Sequence, residues 1–209
     1  MKQTNSRTIK ADKNSHFLSD ERKFLPANCL FNKGITGCGG TTLEIDCPRN
    51  SLILVPNINL VLDKCASHPS LIGVYGDISN TEISSKLQEQ LGYHKIIATY
   101  DALPRIIECV GPTIYNYFLL IDEYHILFNS YSFRYGPIKF ILDNYSKFNK
   151  FCFMTATPLE EFNILEEIKD LPRITMEWPQ AIKMSISVKN AFFTSKEVLK
   201  EILLSKNNN

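Results

Sequence analysis

Six short runs of branched and aromatic residues alternate along this chain with stretches that carry apolar residues at helical spacing, and this alternation limits the fold most. The runs are Cys29–Lys33, Leu52–Val55, Leu71–Tyr75, Lys95–Thr99, Tyr117–Ile121 and Phe151–Thr155. Each has strand length and strand composition. Thr41–Cys47, Ile58–Cys65, Ile83–Leu91, Ala102–Cys109, Pro137–Tyr145 and Glu160–Ile168 read as the helices between them. Breakers fall where strands should end, at Pro48, Pro56, Gly76, Gly111-Pro112 and Pro158. Strands that are apolar throughout need cover on both faces. The expected fold is therefore α/β, a mainly parallel sheet with helices on either side.

The chain has 209 residues, 44% of them hydrophobic and 22% charged, which suits one domain with a sizeable core. Residues 1–14 are polar and basic and read as a disordered arm without the apolar segment of a secretory signal. Residues 15–171 form the expected domain. From residue 172 to 209 the pattern changes into an extension or linker, with strand-like alternation at Ile182–Val188 and an amphipathic stretch at Ser195–Leu204. No uncharged apolar run approaches the roughly 20 residues of a membrane span. No membrane partner is expected, and the expected location is the cytoplasm. Asn, Lys and Ile usage fits an AT-rich bacterial or phage genome. Six scattered cysteines without a C-x-x-C pair point to free thiols rather than a zinc site. The formal charge of +1 leaves no overall basic footprint, so any nucleic acid must bind at a local patch.

Three segments carry chemistry. The first is Lys33-Gly34-Ile35-Thr36-Gly37-Cys38-Gly39-Gly40-Thr41-Thr42, which joins a strand to a helix. It keeps the register of the phosphate-binding pattern G-x-x-x-x-G-K-[ST] through Gly34, Gly39 and Thr41. Its glycines let backbone N–H groups converge on an anion at a helix start, and Thr41 is placed to ligate Mg²⁺. A plain glycine-rich turn is the rival reading. The lysine slot holds Gly40, and Lys33 would have to curl back to replace the missing cation. Losing one such electrostatic donor costs about 3–4 kcal/mol of transition-state stabilisation. The second segment is Phe118-Leu119-Leu120-Ile121-Asp122-Glu123-Tyr124-His125, a buried strand ending in two acids. Asp122 there can hold Mg²⁺, and Glu123 can orient or deprotonate a water. A pair of solvated acids opening a loop is the alternative. The third, Thr155-Ala156-Thr157-Pro158, ends another buried strand and by itself is only a turn.

Taken in order, these segments resemble the first RecA-like lobe of superfamily-two helicases of the DEAD/DEAH-box kind. Two weaker matches fall between them: Leu54-Val55-Pro56-Asn57 with Leu60-Val61, and Ala98-Thr99-Tyr100-Asp101-Ala102-Leu103-Pro104-Arg105. The resemblance spans about Cys29 to Pro158 and implies a P-loop NTPase fold binding ATP with Mg²⁺. It implies a nucleotide cradle of Gly34, Thr36, Gly37, Cys38, Gly39, Gly40, Thr41 and Thr42. It assigns metal and water chemistry to Asp122 and Glu123, and nucleotide coupling to His125, Thr155 and Thr157. Pro56, Asn57, Thr99 and Arg105 would face single-stranded nucleic acid, DNA or RNA. A second RecA-like lobe, in cis or in trans, would supply arginine fingers and half of the nucleic-acid track. No adenine-reading glutamine motif precedes the loop. A helicase-like nucleic-acid-dependent ATPase lobe, weakened by the missing lysine and nearly inactive alone, is the expected function. A non-catalytic nucleic-acid- or protein-binding scaffold is the alternative.

Overall fold

A computed structural model describes residues 6–129, 134–160 and 164–179. Eight parallel strands form one sheet: β1 (Ser6–Lys10), β2 (Cys29–Asn32), β3 (Ser51–Val55), β4 (Ile72–Val74), β5 (Lys95–Thr99), β6 (Phe118–Asp122), β7 (Lys150–Thr155) and β8 (Arg173–Glu177). Their order across the sheet is β1-β8-β2-β7-β6-β3-β5-β4. The sheet is flanked by α1 (Leu18–Glu21), α2 (Gly40–Asp46), α3 (Ile58–Ser67), α4 (Asn80–Glu89), α5 (Leu103–Val110), α6 (His125–Asn129) and α7 (Tyr135–Asn144).

The central strands are buried from end to end, as apolar parallel strands must be. Side chains alternate between faces, so two cores form. Leu52, Leu54, Ile96, Leu119, Ile121 and Phe153 meet α4, α5 and α7 on one side. Ile53, Val55, Ile97, Leu120, Cys152 and Met154 meet α1, α2 and α3 on the other. Tyr145, Phe151 and Phe153 pack edge-on in the first core, with Tyr145 and Phe151 centroids 4.9 Å apart.

The six expected strands form within a residue or so of their expected bounds. Two further strands do not match expectation. Residues 6–10 lie in the segment read as a disordered arm, yet they form β1. Residues 173–177 lie in the segment read as an extension, yet they form β8, between β1 and β2. Both are polar, and β1 is largely exposed at the sheet edge, so neither shows the apolar run of a buried strand. The expected helix Glu160–Ile168 is absent among its described residues, where 166–170 form turns. Ile182–Val188 and Ser195–Leu204 lie outside the described residues.

A buried ionic cluster fixes the far end of α2 to the starts of β3 and β5. Glu44 is fully buried, and Arg49 Nε donates to its Oε1 at 2.9 Å. Ser51 Oγ donates to the same carboxylate at 2.6 Å, while Lys95 Nζ reaches Ser51 Oγ at 3.0 Å and the Glu44 carbonyl at 2.8 Å. The Arg49 guanidinium also stacks 3.5 Å from the Phe118 ring centroid. A buried carboxylate left without its partner is strongly unfavourable. Arg49→Ala is therefore expected to lower unfolding free energy by about 3 kcal/mol in urea titration. A loss below about 0.5 kcal/mol would show that Ser51 and Lys95 hold Glu44 unaided.

Candidate functional site

All strands run the same way, so the turns leaving β2, β7 and β6 open side by side at one sheet edge. Ligands of open α/β sheets gather at this carboxyl edge. The three motif segments, distant in sequence, are brought together there.

Asp122 is the centre of the cluster. Its carboxylate is buried at the tip of β6, and its Oδ2 accepts from Thr41 Oγ1 at 2.6 Å. Its Oδ1 faces Lys33 Nζ at 3.4 Å and accepts from the Glu123 N–H at 3.0 Å. Lys33 Nζ also donates to Glu123 Oε1 at 2.7 Å. Burial acts against charge on Lys33, but Asp122 and the hydrogen bond to Glu123 outweigh it and raise its pKa above the usual lysine value. The ammonium is thus charged at neutral pH.

Glu123 Oε2 accepts from Thr155 Oγ1 at 3.1 Å and lies 3.3 Å from His125 Nδ1. His125 Nδ1 and Thr155 Oγ1 are 2.8 Å apart, and the Thr157 N–H donates to that hydroxyl at 3.0 Å. His125, Thr155 and Thr157 therefore join the acids in one hydrogen-bonded network. Glu123 itself sits at φ +53°, a left-handed conformation that costs a non-glycine residue about 1–2 kcal/mol. Buried Tyr100 reaches its main chain, donating to the Asp122 carbonyl at 2.6 Å with the Glu123 carbonyl at 3.3 Å. The Tyr124 N–H donates to Met154 O from the other side. Backbone outliers held this way concentrate at functional sites.

A cavity of about 380 Å³ opens beside this cluster, lined by Gly37, Cys38, Gly39, Gly40, Thr41 and Thr42 of the loop together with Lys33, Lys64 and Phe17. Gly34 and Thr36 are not among its walls. The Gly34 N–H is taken by Asn32 Oδ1 at 2.9 Å, and the residue faces the other way. A Cβ there would lie 2.3 Å from Met176 O and 2.8 Å from Trp178 Cδ1, and its φ is +81°. Gly34 lets β8 approach the loop. Cys38 is buried, and burial pushes its thiol pKa up.

Asn57, Thr99 and Arg105 line one other cavity, of about 700 Å³, with Arg134, Asp77 and Asp101. The Asn57 side chain caps α3, accepting from the Leu60 N–H at 3.0 Å. The Arg105 guanidinium donates to the Gly76 and Ile78 carbonyls. Pro56 is buried and contributes its carbonyl to Arg134 at 2.9 Å. Of the residues expected to meet nucleic acid, Asn57, Thr99 and Arg105 thus share one cavity, and Pro56, Asn57 and Arg105 also have structural partners.

Sequence reading missed Tyr100, Lys64, Arg134 and Trp178. Tyr100 lies inside the Thr99-Tyr100 segment, which marked the place but not the hydroxyl's role. Lys64 and Arg134 join the walls only through tertiary packing, and no local pattern flags them. Among the described residues no three His, Cys, Asp or Glu side chains form a metal cluster. Thr41 and Asp122 nonetheless supply paired hard oxygens, which suits Mg²⁺, an ion that relies on one or two carboxylates and on phosphate oxygens. Among the described residues no helix is long and apolar enough to cross a membrane.

Tyr100→Phe removes the donor from two main-chain carbonyls and keeps the ring. The expected loss is about 1–3 kcal/mol in chemical unfolding, because buried acceptors lose their partner. An unchanged midpoint would show that the Glu123 backbone holds its conformation without that hydroxyl.

Comparison with known proteins finds no family model that matches this chain and no curated protein that matches it.

Proposed function

We propose that this chain is the nucleotide-binding lobe of a helicase-like, nucleic-acid-dependent ATPase, built on a RecA-like P-loop NTPase fold. The observation that carries the reading is the 2.6 Å hydrogen bond from Thr41 Oγ1 to Asp122 Oδ2. It couples the hydroxyl that ends the glycine-rich loop to the acid that ends a buried parallel strand. In P-loop enzymes this hydroxyl–carboxylate pair is the metal-holding pair.

Thr41 and Asp122 would hold Mg²⁺, which when bound neutralises phosphate charge. The loop from Gly37 to Thr42 would wrap the phosphates with main-chain N–H groups. Glu123, free of metal duty, would hold a water and take its proton on a carboxylate oxygen. Thr155 fixes the Oε2 edge of that carboxylate by hydrogen bonding, and His125 Nδ1 is bonded to the same Thr155 hydroxyl. Contacts of this kind, spread over three strand ends, are how a change at the nucleotide would reach the rest of the lobe. Asn57, Thr99, Arg105 and Arg134 support a contact with single-stranded nucleic acid. Their polar and cationic groups suit phosphate and sugar, so sequence preference would be slight. A second RecA-like lobe would complete the track and the catalytic site.

The test is calorimetric titration of the chain with Mg-ADP. The expected Kd is on the order of 10⁻⁴ M, about −5.5 kcal/mol. Thr41→Ala and Asp122→Asn are each expected to weaken binding by about tenfold or more, as charge-assisted contacts are lost. No heat with ADP or ATP at millimolar concentration would overturn the nucleotide reading and favour a non-catalytic scaffold.

A further inference from the structure

The slot that holds the phosphate-contacting lysine in the loop pattern is not merely empty of charge in this chain. A Cβ on Gly40 would lie 2.7 Å from Met154 Sδ and 2.9 Å from its Cε. Met154 is fully buried in the core beneath α2. A side chain at position 40 would need the flexible tip of Met154 to shift. Gly40 brings no charge, so in this chain the cations at the cavity come from other residues.

Lys33 and Lys64 both line the cavity. They are placed differently. Lys64 stands on α3, half-buried, with Nζ 3.2 Å from Thr42 Oγ1. Lys33 is the first residue after β2 and its backbone is fixed on both sides. Its N–H donates to Thr155 O at 2.8 Å, and its carbonyl accepts from Trp178 Nε1 at 2.7 Å. Its ammonium is buried, at 2.7 Å from Glu123 Oε1 and 3.4 Å from Asp122 Oδ1. The other oxygen of Asp122 holds Thr41 Oγ1, so one carboxylate spans the distance from Nζ to the loop's hydroxyl.

We propose that Lys33 is the cation that binds the β-phosphate end of the nucleotide in this cavity, standing in for the lysine absent at Gly40. The inference rests on the nucleotide reading above. Without ligand, Lys33 serves as counter-ion to two adjacent carboxylates that would otherwise repel each other. A diphosphate entering the cavity offers a second anionic partner to the same ammonium. Lysine suits such an exchange, because its charge sits at the end of a flexible four-carbon stem and needs no planar match. The clamped backbone keeps the root of that stem fixed while the tip reorients. Lys33 thus has two alternative anionic partners, the acid pair and the ligand.

The experiment is calorimetric titration of the full chain with Mg-ADP and with AMP, which lacks the β-phosphate. The variants are Lys33→Met, Lys33→Arg, Lys64→Met and the double variant Lys33→Met/Glu123→Gln. The double variant removes one charge of each sign, so it tests the role even if Lys33→Met alone fails to fold. Loss of Lys33 is expected to weaken ADP binding at least tenfold and AMP binding no more than twofold. Lys33→Arg should recover part of the ADP affinity, whereas Lys64→Met should leave the ADP-to-AMP ratio near that of the parent. Equal weakening of ADP and AMP, or ADP affinity within twofold of the parent in a folded Lys33 variant, would reduce Lys33 to a structural counter-ion. A selective ADP loss in Lys64→Met alone would assign the cation to Lys64. If the parent binds neither nucleotide, the nucleotide reading falls and this inference with it; if the parent binds ADP, only the role of Lys33 is at stake.

Discussion

The carboxylate of Asp122 is the point on which the site depends. Both of its oxygens are engaged, one by Thr41 of the loop and the other by Lys33 and the Glu123 N–H. Three chain segments therefore meet at one buried charge. Such a charge is tolerable only with these partners, because an isolated buried carboxylate carries a desolvation cost of several kcal/mol. The sheet makes the arrangement available: β2, β7 and β6 are adjacent and parallel, so their outgoing turns share one edge. In a different strand order the same residues would not meet.

The loop beside Asp122 is shaped from below as much as by its own sequence. β8 packs against Gly34 closely enough that a Cβ there would overlap Met176 O, and Trp178 reaches back to the Lys33 carbonyl. Met154 of β7 closes the space at Gly40. Gly34 therefore answers to packing, Gly37 and Gly39 line the cavity, and Gly40 does both. A motif read as one functional unit uses the same residue type for two physical reasons.

The alternation of apolar runs revealed the α/β class, the six central strands and the cover on both faces, because buried parallel strands leave a strong local signal. It did not reveal β1 or β8. Ser6–Lys10 and Arg173–Glu177 carry one and two apolar residues, too few for an apolar run, and they pair with each other and, through β8, with β2. Asp122, Glu123 and Thr155 were legible because each ends or directly follows a buried strand, and Thr41 because the loop's register marked it. Lys33 was legible as a cation before the loop, but its pairing was not, since that depends on residues about ninety positions away in sequence, Asp122 and Glu123. Gly34 shows the converse failure: it fits the motif's register, yet its N–H is spent on Asn32.

Tyr100 links two of the cavities at this sheet edge. It follows Thr99, a wall of the larger cavity, and its hydroxyl holds the main chain of Asp122 and Glu123 beside the smaller one. Glu123 adopts a left-handed backbone that it would not keep without such support. A shift of the Thr99–Ala102 segment would therefore act directly on the conformation of the acid pair. The link is short, buried and made of one ring and one hydroxyl, so it has little freedom to absorb displacement. Under the proposed reading, this is the physical route by which a strand of nucleic acid at Thr99 and Arg105 would be felt at Glu123.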